Sequence, residues 1–436
     1  MTLQFYMRVE SFCFFIFFAL VRTFGNIIAL FLILNGSVLG QKSTLRDSIF
    51  LTKGNLVPIL AFDPDNGFRY GATINVYRIK RSDIEPTRRP FTDNLFLRGF
   101  HSTKNNFQSV LLLETNSLIS KSKCFIELSA SKDASFEFYG VNGYQSVFSP
   151  TVIDLNHPDF IAQGFYKHQK EFYKFRFDHQ RFLGSNRFRM INGFSLNYLK
   201  TEHSSNQLIS NYIDSEILDH NEKGQKFFQY NFGLVTENRN NQFYCTKGFW
   251  HEAMLIYSSN FRGQHFMKSI MTFRNYLPIR NKKNMLLSRI SFQNKLFGET
   301  PYELMSLYYD SRLSSDGIGG IFTMRGKPRN RLLANGFILG NLEFKRTIIQ
   351  RNIYNTSIIM DISLFTDHYF ITQQVALKNT LLPPLNSGKT DRYCATYGIG
   401  GYIVLNESSV ITVNYGYPLT KNEQGGRLYI GAGFMF

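Results

Sequence analysis

The chain has little proline, cysteine or tryptophan and, past its first 40 residues, no long apolar run. Of its 436 residues, 12 are proline, four are cysteine and one is tryptophan. A helix that spans a membrane needs about 20 consecutive, predominantly apolar residues. Without such a run after residue 40, and with a mean hydropathy of −0.19, the chain is too polar for a bundle of membrane helices.

The sequence also lacks the short motifs of hydrolases, nucleotide-binding proteins and zinc sites. Neither Gly-x-Ser-x-Gly nor a phosphate-binding G-x-x-x-x-G-K-[ST] occurs, and the nine histidines are spread singly. Cys124, Cys245 and Cys394 show no C-x-x-C spacing and suit small apolar positions in strands. We therefore expect no enzyme, no metal and no cofactor. The alternative, a lipid-modifying enzyme, requires a Ser/His/acid set that only folding brings together.

Positive charge exceeds negative charge, with a net value of +17 and an isoelectric point near 9.6. Lysine and arginine are scattered rather than clustered, and no RNP-like or helix-turn-helix pattern is present. This distribution predicts basic rims that face anionic lipid head groups, including lipopolysaccharide, and no nucleic-acid partner.

Residues 1–40 have the layout of an export signal. Arg8 precedes the apolar run Ser11–Val21, a second apolar run covers Ile27–Leu34, and small residues lead to a cleavage site before Gln41. The segment is long for a signal peptide, so translation from Met7 is an alternative start. An uncleaved anchor helix is the rival interpretation, because two apolar stretches are present.

What the chain has in abundance is phenylalanine and tyrosine, in segments of alternating polarity. There are 44 Phe and 24 Tyr residues, both favoured in strands and in the aromatic girdles of membrane barrels. Val410–Tyr417 alternates Ile, Val and Tyr with Thr, Asn and Gly. Asn355–Asp367 and Arg427–Phe436 alternate in the same way. Period-two alternation predicts strands with one apolar face.

The alternation predicts an all-β fold, a transmembrane antiparallel β-barrel covering residues 56–436, after a short segment at 41–55. An apolar face turned to lipid requires a closed sheet, because every backbone group must then be paired. A soluble β-sandwich is the alternative. Polar stretches at Glu202–Gln225 and Thr372–Asp391 are expected to be extracellular loops, in contrast to the short Asn281–Asn284 turn.

Three segments resemble the BamA/TamA family of outer-membrane barrels, also called bacterial surface antigens. Pro58–Ala72 resembles the family's opening strand, and Gly398–Phe436 resembles its last strands. Between them, Gly319–Gly326 followed by Gly340–Lys345 resembles the inward-folded sixth loop and the strand after it. The resemblance implies sixteen antiparallel strands and location in the bacterial outer membrane.

The resemblance also implies roles for individual residues. Phe434 and Phe436 match the C-terminal signal through which the assembly machinery inserts such barrels. Met324-Arg325-Gly326 matches the loop motif, whose arginine reaches into the lumen, the interior of the barrel, and pairs with acidic groups.

The residues support acidic partners for that arginine. Alternation places Glu343 on one face with Asn341 and Lys345, and Asp367 on the polar face of its own strand. Both carboxylates are therefore expected in the lumen, within reach of a charge-assisted contact to Arg325. The alternative is that Arg325 lies in a solvated loop without a partner.

The sequence also departs from the family pattern. Lys327 stands where an aromatic residue is usual and Met324 replaces a β-branched residue, which leaves the packing of the loop tip open. Residues 41–55 are too few for the POTRA domains of family members that insert or translocate proteins, so the resemblance is to the stand-alone barrels.

The leading hypothesis is a non-catalytic role in outer-membrane biogenesis, with client membrane proteins as partners. The mechanism would use a weak seam between the first and last strands, near the glycine-rich stretches at 398–401 and 431–433. The alternative is a passive channel or a structural surface antigen.

Overall fold

The computed structural model describes most of the chain after residue 49. The described residues are 50–80, 92–143, 148–218, 221, 223–260, 262–280, 283–312, 315–353, 356–377, 392–407, 409–419 and 425–432. The expected signal at 1–40 and the aromatic residues Phe434 and Phe436 lie outside the described residues. In the described part, no helix is long and apolar enough to cross a membrane.

Eighteen strands are present in the described residues, and they dominate the structure. They are β1 (Phe50–Asp63), β2 (Gly67–Lys80), β3 (Asp93–Ser102), β4 (Phe107–Thr115), β5 (Ser122–Glu137), β6 (Lys167–Leu183), β7 (Ser185–Glu202), β8 (Gln225–Glu237), β9 (Gly248–Asn260), β10 (His265–Ile279), β11 (Asn284–Gly298), β12 (Leu307–Tyr308), β13 (Ser315–Asp316), β14 (Gly336–Ile353), β15 (Thr356–Gln373), β16 (Tyr393–Leu405), β17 (Ser409–Pro418) and β18 (Arg427–Ala432).

All of these strands except β12 and β13 form one closed antiparallel barrel of sixteen strands. Each strand pairs with its neighbour in the chain, β11 pairs with β14, and β18 pairs with β1 to close the sheet. The expected strand number and barrel class are thereby confirmed. β12 and β13 form a separate small hairpin within the connection between β11 and β14.

The first strand begins earlier than the sequence predicts. β1 starts at Phe50 rather than near Leu56, and its residues 50–55 pair with residues 75–80 of β2. Pairing with β2 therefore stabilises a segment whose own sequence, Phe-Leu-Thr-Lys-Gly-Asn, does not alternate cleanly.

The two faces of the barrel wall differ sharply in polarity. On β15, Ile362 and Leu364 are 51% and 62% exposed, whereas Asp361 and Asp367 are buried. On β17, Val413 and Tyr415 face outward while their neighbours Thr412 and Asn414 are buried. The inner face is thus polar and the outer face apolar, as the alternation predicts.

The apolar outer face continues around the wall, with exposed residues on both early and late strands. Examples are Leu60, Ile74, Phe232, Phe273, Ile290, Leu342, Ile399 and Leu428. A soluble protein rarely exposes so much contiguous apolar surface, whereas a closed barrel can turn it to lipid with every ladder hydrogen bond made. This excludes the β-sandwich and places the barrel in a membrane.

Connections at one end of the barrel are long and fold together. They include α1 (Leu208–Asp214) between β7 and β8, and α2 (Tyr302–Met305) between β11 and β14. Their apolar residues form one cluster, the loop core, which comprises Phe138, Tyr139, Val141, Phe148, Val152, Phe165, Tyr166, Leu208, Ile209, Tyr212, Leu218, Tyr302, Met305 and Leu333.

The loop core shows that residues 203–218 are more than part of the polar loop that the sequence predicts at Glu202–Gln225. Leu208, Ile209 and Tyr212 of α1 are at most 2% exposed, although the flanking residues are polar. Burial raises the pKa of Tyr212 to about 12, so its phenol stays neutral at any physiological pH. The long-loop end is the extracellular end in outer-membrane barrels.

Candidate functional site

Arg325 lies in the long connection between β11 and β14, and its side chain is 1% exposed. Its Nε and Nη2 donate to the two carboxylate oxygens of Asp367, each over 3.0 Å, and its Nη1 donates to Glu343 Oε2 over 2.6 Å. The structure therefore brings together the three charged residues that the sequence singles out, on the inner face of β14 and β15.

Further groups fix the orientation of this cluster. The backbone N–H of Arg325 donates to Asp367 Oδ2 over 2.9 Å, and the Phe365 ring lies 3.4 Å from the guanidinium carbon. Asn341 donates to Asp367, and the Tyr402 hydroxyl donates to Glu343 Oε1 over 2.6 Å. A fork-shaped guanidinium suits such a site, because it serves two carboxylates at once.

The charge balance makes this cluster sensitive to mutation. Glu343 and Asp367 are both 0% exposed, so each depends on buried donors in place of water. Removing one partner of a buried ion pair costs about 3–5 kcal/mol, because the remaining charge is left uncompensated. The cluster therefore holds the connection against β14 and β15.

The residues on either side of Arg325 are buried in different surroundings. Met324 is 0% exposed and packs in an apolar cluster, with its sulfur 3.7 Å from the Cys394 sulfur. Lys327, which stands where the family has an aromatic residue, is also 0% exposed. Its carbonyl accepts a hydrogen bond from the Tyr429 hydroxyl of β18 over 3.0 Å.

Gly326 is required by the close approach of the connection to β17. Its φ is +91°, and a Cβ added there would lie 2.8 Å from the carbonyl carbon of Gly416. A Cβ added at Gly416 would lie 2.6 Å from the Gly326 nitrogen. Two glycines therefore face each other where the loop meets the wall.

A second anchor of the same connection was not predicted from the sequence. Residues 309–312, called the hairpin tip below, follow β12 and contact β10, β6 and β4. Arg274 of β10 donates to Asp310 over 3.1 Å, and Arg176 of β6 donates to the Ser311 carbonyl over 2.9 Å. Arg312 donates to Glu114 of β4 over 3.0 Å.

A sequence signal for this second anchor exists in the strands. Arg176 lies between two phenylalanines, and each of Glu114, Glu252 and Arg274 has an apolar residue on one side, so the local pattern favours the inner face for these four charges. Alternation does not identify the hairpin tip as the partner of these charges, because the tip is separated from β4 by about 200 residues of chain.

The arrangement contains no feature of a metal centre in the described residues. No group of three or more His, Cys, Asp or Glu residues there is placed to hold an ion. The three described cysteines are buried.

Comparisons with known proteins identify the fold. No protein-family model matches the chain, and no curated protein matches it. Among solved structures, BamA from Haemophilus ducreyi lacking POTRA domains 1–3 is similar over 87% of this chain and 70% of that chain, with 14% identity and a TM-score of 0.53.

CdiB from Escherichia coli is similar over 90% of this chain, with 11% identity and a TM-score of 0.53. The chain spans 64% of the length of CdiB, which is less than two thirds. At these identities the likeness concerns the fold. The chain therefore has the sixteen-stranded barrel fold of BamA and CdiB and is an outer-membrane β-barrel.

Proposed function

We propose that this barrel acts in outer-membrane biogenesis without covalent catalysis, by templating strands of client membrane proteins at the seam between β1 and β18. Its surroundings would be outer-membrane lipids and lipopolysaccharide, and its own insertion would use the outer-membrane assembly machinery. An exposed strand edge offers unpaired N–H and C=O groups to an incoming strand.

The observation that carries this proposal is a proline in the middle of β1, the strand at which the barrel closes on β18. On one side, β1 pairs with β2 residue by residue from Phe50 to Asp63. On the other side, within the described residues, its register with β18 is given by the pair Phe62 and Ile430. Pro58 in the middle of β1 has no N–H to donate, a residue type that sheets confine to edge strands and bulges.

The outer surface beside the seam supports the same function. Leu56 and Leu60 of β1 are 71% and 67% exposed, and they flank Pro58 on the lipid-facing side. A strand that added to this edge would place its own outward side chains beside these two. We further propose that the connection between β11 and β14, anchored at Arg325 and at the hairpin tip, fills the lumen and braces the wall while the seam parts.

A disulfide across the seam tests the mechanism. Phe62 and Ile430 are register partners, and antiparallel partners have Cα atoms about 4.5–5.5 Å apart, within the range of a disulfide. We expect Phe62→Cys with Ile430→Cys to abolish complementation of a depleted strain when oxidised and to restore it when reduced. The matched control is Phe344→Cys with Leu364→Cys, which links β14 to β15 away from the seam.

The readout is a quantitative outer-membrane proteome after depletion of the protein. We expect a defined set of other barrels or surface lipoproteins to fall, and to recover with the wild type and the control. A membrane that is otherwise unchanged after depletion would overturn the assembly role and favour a channel or surface antigen. Full activity of the oxidised seam variant would overturn the seam mechanism alone.

A further inference from the structure

The connection between β8 and β9 crosses to the opposite side of the barrel. It comprises residues 238–247 and lies at the short-turn end, which faces the periplasm in outer-membrane barrels. In the closed strand order, β8 and β9 lie across the barrel from β18 and β1. Residues of this connection nevertheless contact strands on that remote side.

Tyr244 makes the main remote contact and is 3% exposed. Its hydroxyl donates to Asp361 Oδ2 of β15 over 2.5 Å, and the Lys345 ammonium lies 4.1 Å from the centre of its ring. The same ring packs in a cluster with Ile359, Tyr402, Val404 and Val410 from β15, β16 and β17. The Tyr244 side chain thus joins the connection to β14, β15, β16 and β17.

Two neighbouring residues extend these contacts. The Phe243 ring lies 5.4 Å from the Tyr77 ring of β2, centre to centre. Asn241 donates through Nδ2 to the Glu407 carbonyl, in the turn between β16 and β17, over 3.1 Å. Because β2 and β17 are the neighbours of β1 and β18, the connection touches strands on both sides of the seam.

The connection is also internally ordered by its own side chains. Asn240 Oδ1 accepts from the N–H groups of Thr246 and Lys247, each over 3.0 Å. Asn241 Oδ1 accepts from the N–H groups of Phe243 and Tyr244. These bonds fix the aromatic pair in place, so little conformational freedom is left to lose on contact with the far wall.

Its attachment to β8 and β9 is equally specific. Gly248 has a φ of +122°, and a Cβ there would lie 2.0 Å from the Asn238 carbonyl oxygen. Arg239 is held by Glu237 over 2.7 Å and lies 4.5 Å from the Trp250 ring centre. Cys245 packs against β10 and β11 through Tyr276, Met285 and Leu287.

We propose that residues 238–247 form a strap that closes the periplasmic mouth of the barrel, and that release of Phe243 and Tyr244 from the far wall opens it. The strap is a gate separate from the connection that carries Arg325. This proposal concerns only the closure of the barrel, and it is independent of whether the barrel assembles other proteins.

Cys245 is a native reporter of this movement. It is 1% exposed, and burial raises the pKa of its thiol to about 11, so it reacts slowly while the strap is closed. Cys124 in β5 and Cys394 in β16 are equally buried and belong to the barrel wall. Labelling each thiol with a charged, membrane-impermeant methanethiosulfonate, with detection by peptide mass, follows the three sites in one sample.

We expect Phe243→Ala with Tyr244→Ala to speed labelling of Cys245 by at least about tenfold, since each unit of pKa recovered raises the thiolate fraction tenfold. Cys124 and Cys394 should label at wild-type rates. The matched control is Tyr397→Ala with Tyr417→Ala, a ring pair on the outer face that does not touch the strap. Unchanged labelling of Cys245, or faster labelling of all three cysteines, would overturn the proposal.

Planar-bilayer conductance gives an independent measurement. Combining the strap variant with Arg325→Ala should give a larger current than Arg325→Ala alone, because both closures are then released. Equal currents from the double-site variant and from Arg325→Ala alone would show that the strap does not close the mouth.

Discussion

Two connections of this barrel reach remote strands, and they are held by different kinds of contact. The connection with Arg325 relies on buried charge, with one guanidinium shared by Glu343 and Asp367. The strap at 238–247 relies on two aromatic rings, the Tyr244 hydroxyl and the Asn241 amide. Charge paired at short range is costly to break, whereas ring contacts separate and re-form at lower cost. The comparison indicates a fixed brace at one place and a movable closure at the other.

Arg325→Ala tests the fixed side of this comparison and should have the largest effect. We expect a loss of about 3–5 kcal/mol in the free energy of unfolding, because two buried carboxylates lose their shared donor. Denaturant unfolding of the refolded barrel in detergent measures it. Arg351→Ala, at an exposed position of β14, is the control and should change little.

Gly416→Ala tests whether the brace depends on close backbone contact. The added methyl group would meet the backbone of Arg325 and Gly326 at 2.6–3.0 Å, which we expect to cost about 1–3 kcal/mol through displacement of the loop. Gly99→Ala on β3, where a Cβ meets nothing within 4 Å, is the control. Equal stability of the two variants would show that the loop yields freely at this point.

Tyr244→Phe measures how much the hydroxyl contact of the strap contributes to stability. The ring stays, and the buried Asp361 loses one donor while Lys345 and Thr347 remain. We expect about 1.5–3 kcal/mol of destabilisation, the typical value of one hydrogen bond to a charged group. Tyr397→Phe on the outer face is the control. A loss as large as that of Arg325→Ala would remove the distinction between brace and closure.

Arg312→Ala should have the smallest effect, although Arg312 belongs to the same connection as Arg325. Its side chain is 26% exposed, and its partner Glu114 keeps a second cation in Lys123 at 2.6 Å. A partly solvated pair contributes about 0.2–1 kcal/mol. Unfolding of Arg312→Ala beside Arg325→Ala therefore ranks the two anchors of one connection.

The fold could be predicted from the sequence where alternation is clean. β15, β17 and β18 show one apolar and one polar face, and the structure turns these faces outward and inward as predicted. The strand number came from the resemblance, because periodicity does not count strands. The sequence predicts the start of β1 too late, because residues 50–55 are held by pairing with β2 and do not alternate in polarity themselves.

Like the fold, the candidate site can be predicted from the sequence only in part. Glu343 and Asp367 were identifiable because each sits on a polar face within an alternating strand. The contacts of Asp310, Arg312 and Tyr244 cannot be identified from the sequence, because they join segments that only the closed barrel brings together. Residues 238–247 contain mostly polar residues and therefore look like an ordinary turn.

The loop core has a consequence for the order of folding. Phe138, Tyr212 and Tyr302 meet edge to face at 5.1 and 5.3 Å, yet they come from three connections widely separated in the chain. Contacts between distant segments form slowly, because the closure of long loops precedes any gain in packing. The loop core should therefore be among the last parts to assemble, after the strands that carry its connections have paired. Its near-ultraviolet circular dichroism would then mark completed folding, later than the signal from the β-sheet itself.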